Sequence, residues 1–290
     1  MIKYNPKNWF KLIFALHKSD TMRMLWKEIL YIGAFSALLS FIIIEYATNT
    51  KPLHDLVSVY SLVGFVISLL LVFRTNTAYD RWWEGRKKWG CLVNDTRNLA
   101  IKISAIVPKG ESRDFFCKSI PNFVFASKEH LRKGVHLTEL ELTAEEFKVF
   151  EKKVHVPNVI SLQMYQKLQE LKSNGKVSEV EYLAIDNNLN ALLDSLGACE
   201  RIRNTPIPFS YSLFLKKFIF IFVTTIPLAF IPSFGYYSII IAMFLFYVLV
   251  SMEVLAEEIE EPFGDDDNDL PTDQLCVKIR ENVREIFQVH

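Results

Sequence analysis

The stretch LVSVYSLVGFVISLLLVF at residues 56–73, followed by RTNTAYDRWWEGRKKWG at residues 74–90, decides the fold of this chain. The first half is apolar enough to enter a bilayer, whereas the second half is dense in Arg, Lys, Asp and Trp. Within the second half, no residue that breaks a helix occurs before Gly85. The stretch therefore predicts one continuous helix that leaves a membrane and carries its charged half into water.

One face of this predicted helix changes character along its length. Phe65, Leu69 and Phe73 recur every four residues and so share a face, and Asn76 and Asp80 continue it into the polar half. A face that passes from bulky apolar side chains to an amide and a carboxylate is typical of a pore with a dry constriction and a wet vestibule. The same pattern also fits packing against a neighbouring helix, which the stretch taken alone favours.

The composition indicates a membrane protein. The 290 residues are 50% hydrophobic and include 23 Phe, and the formal net charge is zero, so no bulk charge points to nucleic acid as a partner. The four cysteines are far apart and show no CxxC spacing, which argues against disulfides and a zinc site.

Four segments have about the length that spans a hydrocarbon core. They are Ile29 to Tyr46, Leu56 to Phe73, Phe209 to Ile231 and Phe234 to Met252. The third contains Lys216, Lys217 and Pro227, so a re-entrant hairpin of the last two segments is the alternative. The distribution of Lys and Arg predicts that both termini and the long middle region are cytoplasmic.

The chain then divides into five parts by composition. We expect a cytosolic N-terminal arm, two membrane helices, a cytosolic helical domain, two further membrane helices, and an acidic cytosolic segment with a final helix. The parts are 1–28, 29–73 with its pore helix at 56–73, 74–205, 206–252 and 253–290.

Local signals predict helix ends in the middle region and a turn between the last two membrane segments. Capping boxes open helices at Ser178 and Thr143, and Ser173-Asn174-Gly175 is a helix stop. The turn between membrane segments three and four is expected at Pro232-Ser233.

Three motifs occur in an informative order. The first is RTNTAYDRWWEGR at residues 74–86, the second is the proline-stiffened turn CERIRNTPIPF at 199–209, and the third is the acidic run EEIEEPFGDDDND at 257–269. Taken alone, the first motif indicates a juxtamembrane anchor and the second a helix stop. The third indicates either a solvated acidic loop or a hard-cation site. In this order the chain resembles the bestrophin family, in particular its short bacterial members.

The resemblance implies an all-α membrane protein with four transmembrane helices per subunit and a cytosolic helical domain, assembled as a homopentameric channel. Its single axial pore would have a neck at Phe65, Leu69 and Phe73, with Asn76 and Asp80 in the vestibule. A narrow cytosolic aperture would fall at Val180, with Leu183 as the neighbouring candidate.

The resemblance also implies a metal ligand set, because calcium-activated bestrophins hold calcium at an acidic run after PFG. By position, Asp266 and Asp269 would give side-chain oxygens, and Glu258 and Glu261 would give backbone carbonyls. Asn268 departs from a fully acidic run, and Asp269 alone would serve as a helix cap. Calcium is the one cofactor that the sequence suggests.

The resulting hypothesis is a multi-pass channel of the bacterial inner membrane that conducts small monovalent ions. The resemblance favours chloride and other anions, with cations as the alternative. The side chains near the neck do not decide between anions and cations, because Arg74, Asn76 and Asp80 differ in charge. A non-conducting membrane scaffold or assembly protein is the second hypothesis. An enzyme is disfavoured, since the six histidines form no HxxxH pair and the sequence has no Gly-rich phosphate loop, GxSxG or HExxH motif.

Overall fold

The computed structural model of the chain describes residues 21–47, 51–132 and 134–288, with the backbone alone at residues 51 and 52. Residues 1–20 of the predicted N-terminal arm therefore lie outside the described residues. Within these ranges all regular secondary structure is helical, which confirms the predicted all-α class. The helices are α1 (Thr21–Tyr46), α2 (Lys51–Ile106), α3 (Glu111–His130), a short 3-10 helix (Leu137–Glu139), α4 (Ala144–Phe150), α5 (Val156–Ser173), α6 (Glu179–Asn204), α7 (Phe209–Phe234), α8 (Tyr237–Glu260) and α9 (Thr272–Gln288).

The helices group into two compact units, and α2 contributes to both. Of the described residues, the first unit contains those up to Trp82 together with Pro206–Glu261 and Asp266–Asn268. The second unit contains the described residues of Trp83–Thr205, Pro262–Asp265 and those from Asp269 to Gln288.

Four helices, α1, α2, α7 and α8, are long and apolar enough to cross a membrane. In the first unit they share one hydrophobic core, which includes Ile29, Ile32, Ile67, Leu71, Leu215, Val223, Ala242 and Phe246. Small residues let α1 and α8 approach closely, as is common between membrane helices. A Cβ on Gly33 would stand 2.8 Å from Met243 Sδ, and the Ser40 and Ser238 hydroxyls are 3.1 Å apart.

Helix α2 is continuous over 56 residues, as the opening stretch predicts. At a rise of about 1.5 Å per residue it is about 84 Å long. Gly85 does not interrupt it, and its lack of a side chain has a packing reason. In the second unit, a Cβ at Gly85 would lie 3.1 Å from both Pro262 and Phe263, so any other residue would require these side chains to shift by a few tenths of an ångström.

The structure of the second unit confirms the capping boxes and the helix stop predicted for the middle region. Ser178 and Thr143 each form a reciprocal capping box, with Glu181 and Glu146, at the start of α6 and α4. Helix α5 ends at Ser173, where Gly175 adopts a φ of 69°. Positive φ is accessible to glycine at little cost, which explains why the helix stops there.

The turn expected at Pro232-Ser233 was wrong by a few residues. Helix α7 continues through Pro232 to Phe234, and the chain reverses at Gly235, whose φ is 52°. Pro232 lies in the last turn of α7, where the missing N–H removes a single helical hydrogen bond. Glycine, rather than proline, supplies the backbone conformation that the turn requires.

Candidate functional site

The face of α2 that carries the predicted neck is exposed in the single chain. The side chains of Phe65, Leu69 and Phe73 are 66%, 44% and 57% exposed. Asn76 and Asp80, one and two turns further on, are exposed as well. Bulky apolar side chains and polar groups thus follow each other along one uncovered face of a single helix.

The opposite face of the same helix is buried. Ile67, Leu71, Arg74 and Ala78, spaced by four, three and four residues, are all at most 3% exposed. At about 100° per residue, these positions lie about 140–180° around the helix from Leu69. The helix therefore packs against the rest of its own chain through this stripe and leaves the predicted neck uncovered.

Arg74 is a buried cation inside this stripe. Its Nη2 donates to Glu260 Oε2 at 2.6 Å, and its Nε lies 3.7 Å from Glu253 Oε2. Both glutamates are buried and lie two turns apart on α8. The short bond from Arg74 to Glu260 links α2 to α8, and loss of either charge would leave the other buried and unpaired, which is costly. Arg74 consequently does not contribute charge to the exposed face that carries Asn76 and Asp80.

Further hydrogen bonds bring parts of the three sequence motifs together in the first unit. Glu260 Oε1 accepts from the Ile207 backbone N–H at 2.7 Å, and Glu260 O accepts from Arg81 Nε at 3.2 Å. Trp82 Nε1 donates to the backbone oxygen of Asn268 at 3.1 Å. The charged half of α2, the proline turn before α7 and the segment after α8 are therefore held by direct contacts.

The predicted calcium ligands divide between the two units. In the first, Glu258 Oε2 accepts from Asn268 Nδ2 at 2.7 Å, whereas Glu261 and Asp266 are exposed. In the second, Asp269 is buried, and its Oδ2 is 2.6 Å from where a Cβ on Gly264 would stand. These residues offer the oxygen donors that calcium prefers. The calcium site stays a prediction.

The predicted aperture residues lie in the first turns of α6, in the second unit. Val180 is 77% exposed and Leu183 is 53% exposed, while the opposite side of α6 is buried through Ile185 and Leu189. Hydrogen bonds from Ser178 to the Glu181 carboxylate lower the pKa of Glu181. The capping box thus fixes the start of the helix that presents the two apolar side chains to solvent.

Sequence reasoning missed one group of side chains in the second unit. His130 and His155 both approach Glu200, although the sequence places the histidines in no recognisable pair. The residues lie on three separate elements, and 45 residues separate His155 from Glu200. No local spacing could have brought them to notice.

Comparison with known proteins identifies the family. A family model described as Bacterial/Fungal Bestrophin protein matches residues 1–285. The chain belongs to the bestrophin family.

Individual bestrophin relatives cover nearly the whole chain. A voltage-dependent anion channel-forming protein from Nostoc sp. is 34% identical over 287 residues, which is 97% of this chain and 92% of the relative. The voltage-dependent anion channel-forming protein YneE of Escherichia coli strain K12 is 30% identical and covers 95% of this chain and 90% of its own length. A crystal structure of a bacterial bestrophin homologue from Klebsiella pneumoniae superposes with a TM-score of 0.80 at 30% identity, covering 90% of this chain and 99% of that one.

These likenesses confirm the family resemblance read from the three motifs. They identify this bestrophin as a membrane protein with the helical fold of its bacterial relatives. A channel family also argues against the enzyme hypothesis, in agreement with the sequence reasoning.

Proposed function

We propose that five copies of this bestrophin form a channel of the bacterial inner membrane, with both termini in the cytoplasm. In this proposal, one α2 helix from each subunit lines an axial pore. Phe65, Leu69 and Phe73 form three stacked apolar rings at its neck, and Asn76 and Asp80 face the vestibule beyond. The alternative is a membrane scaffold in which the same face only packs.

The observation that carries the proposal is the contrast between the two faces of α2. The buried stripe already packs the helix into its own subunit, so the exposed apolar face is not needed for that purpose. An apolar ring narrow enough to exclude water would stop hydrated ions until it widens, as hydrophobic gates do.

The polar continuation of this face supports a pore rather than a lipid contact. Asn76 and Asp80 are exposed on the same side of the helix as the neck residues. An amide and a carboxylate would be poorly solvated on a face that contacts lipid tails. A water-filled vestibule would solvate both groups.

For the permeant ion, we propose chloride and other small monovalent anions. The relatives from Nostoc and Escherichia coli are named as anion channel-forming proteins. Because Arg74 is buried in an ion pair, Asp80 is the first charged side chain that continues the neck face. In the proposed pore, five carboxylates there would oppose anions, so we expect a moderate rather than a strict anion preference.

Two further parts of the proposal rest on the family resemblance. Val180 and Leu183, which are apolar and exposed, would form a second constriction in the cytosolic part of the pore. A calcium ion would be held by the side chains of Asp266 and Asp269 with the backbone carbonyls of Glu258 and Glu261, and would stabilise the acidic segment that follows α8.

The reversal potential of the purified protein in planar bilayers under asymmetric NaCl tests this proposal. We expect currents whose reversal potential lies between zero and the chloride equilibrium potential. The change in current on adding calcium reports whether the acidic segment controls opening. A reversal potential shifted towards the sodium equilibrium potential would show that the permeant ions are cations and not anions. Vesicles that stay tight under an ion gradient, although native mass spectrometry shows an assembled protein, would support the scaffold.

A further inference from the structure

The ends of three helices in the second unit converge on one group of metal-ligating side chains. His130 is the last residue of α3, His155 is the N-cap residue of α5, and Glu200 lies in the last two turns of α6. His130 Nε2 lies 2.9 Å from Glu200 Oε1, and His155 Nε2 lies 2.8 Å from the same oxygen. Two imidazole nitrogens and a carboxylate oxygen therefore point at a common centre.

The group is half-buried and already assembled. The two imidazole rings lie 4.2 Å apart between their centroids, and all three side chains are partly exposed. Ligand atoms of all three lie within 4.8 Å of one another, and among the described residues this is the one group of three His, Cys, Asp or Glu side chains found to meet that condition. A small ion could reach it from solvent without unfolding any element.

The backbone beside the group is held independently of it. Arg203 donates through Nη1 to the backbone oxygen of His130 at 2.5 Å and through Nη2 to that of Arg132 at 2.6 Å. The positive charge of Arg203 is thus directed at carbonyl oxygens. These two hydrogen bonds hold the backbone at His130 in place. Preorganised ligands of this kind are typical of metal centres.

We propose that His130, His155 and Glu200 bind a divalent transition metal, zinc by preference, with water as the fourth ligand. Two imidazoles and one carboxylate are a recognised zinc ligand set, and they suit neither calcium nor magnesium. Tetrahedral bonds of about 2.0–2.1 Å place ligand atoms about 3.3 Å apart, so the two nitrogen-to-oxygen distances need to lengthen by about 0.5 Å. The ion would tie the ends of α3, α5 and α6 together. The cysteine spacing argues against a zinc site built from cysteines, and the site proposed here uses none.

Proton positions give the proposal a distinctive signature. Without metal, His155 Nδ1 accepts from the Asn158 backbone N–H at 3.2 Å, so the proton of a neutral His155 ring lies on Nε2, which donates to Glu200. A metal on His155 Nε2 moves that proton to Nδ1, which can then no longer accept from Asn158. Binding therefore exchanges one helix-capping hydrogen bond for a metal bond, and we expect faster hydrogen exchange at the Asn158 amide.

The test uses tag-free, full-length protein in detergent, stripped with EDTA and titrated with Zn²⁺ or Co²⁺ alone. We expect one ion per subunit, the visible absorption of tetrahedral Co²⁺, and a rise in the unfolding temperature on adding zinc. His130→Ala, His155→Ala and Glu200→Gln should each lose the cobalt absorption and weaken zinc binding by about tenfold or more.

His136→Ala is the matched control, because His136 is 70% exposed and its Nε2 faces Glu129 rather than Glu200. This variant should bind zinc as the wild type does. A wild-type protein that binds neither metal would overturn the site, as would Glu200→Gln and His155→Ala proteins that bind both metals unchanged. Unfolding temperatures measured in EDTA verify that each variant is folded before metal is added.

Discussion

The two faces of α2 differ in what surrounds them, although both carry large apolar side chains. Ile67 and Leu71 lie inside the core of the first unit, whereas Phe65 and Leu69 are exposed. Hydrophobicity alone would place both pairs in a core. The difference shows that, in this membrane helix, the side used for packing within the chain is identified by its partners, here the α8 glutamates that pair with Arg74.

Removal of Arg74 should have the largest effect on the buried face. Arg74→Ala leaves Glu253 and Glu260 buried without their cation, which costs about 3–5 kcal/mol of stability when one partner of a buried pair is lost. Urea or thermal unfolding of purified protein in detergent measures the change. Lys216→Ala is the control, because the Lys216–Glu257 pair is about half-exposed and should contribute less than about 1 kcal/mol.

A double variant sharpens this result. Arg74→Met combined with Glu260→Gln removes both charges of the close pair, while the amide oxygen introduced at position 260 can still accept from the Ile207 N–H. The double variant should recover part of the lost stability, since the cost comes from the unpaired charge. An Arg74→Ala protein as stable as the wild type would mean that the buried pair does not fix α2.

Leucines on opposite faces of the helix allow a second test of the comparison. Leu71→Ala creates a cavity in the core and should cost about 2–4 kcal/mol, whereas Leu69→Ala should cost less than about 1 kcal/mol. Equal losses in unfolding experiments would show that the Leu69 face is packed as tightly as the core. That outcome would favour the scaffold over the pore.

Features that depend on neighbouring residues were predictable from the sequence. The capping boxes at Ser178 and Thr143, the stop at Gly175 and the unbroken course of α2 each follow from a few adjacent residues, and the structure confirms them. The burial of Arg74 was not predictable, because its partner Glu260 is 186 residues further along the chain. The same applies to His130, His155 and Glu200, which share no element and no spacing.

The face itself was visible as a four-residue repeat, but its exposure was not. A repeat of Phe65, Leu69 and Phe73 is compatible with packing and with a pore, and only the position of the buried stripe distinguishes the two sides. The motif at residues 74–86 indicated the family, which the comparisons then confirmed.

The charge that continues the exposed face should have a smaller effect. Asp80→Asn removes five carboxylates from the proposed vestibule, so the reversal potential under asymmetric NaCl should shift by about a few millivolts towards the chloride equilibrium. Glu84→Gln is the control, since Glu84 pairs with Arg201 in the second unit. An unchanged reversal potential in Asp80→Asn would remove this residue from the ion path.

The single-channel conductance of Leu69→Ala in planar bilayers tests the proposed pore most directly. In the proposed pentamer, replacing five leucines by alanines would widen the apolar neck and make it easier to wet, so conductance should rise by about twofold or more. Leu38→Ala, which shortens an exposed leucine on α1, should leave it unchanged. A folded, assembled Leu69→Ala protein with wild-type conductance would contradict the assignment of this face to the pore.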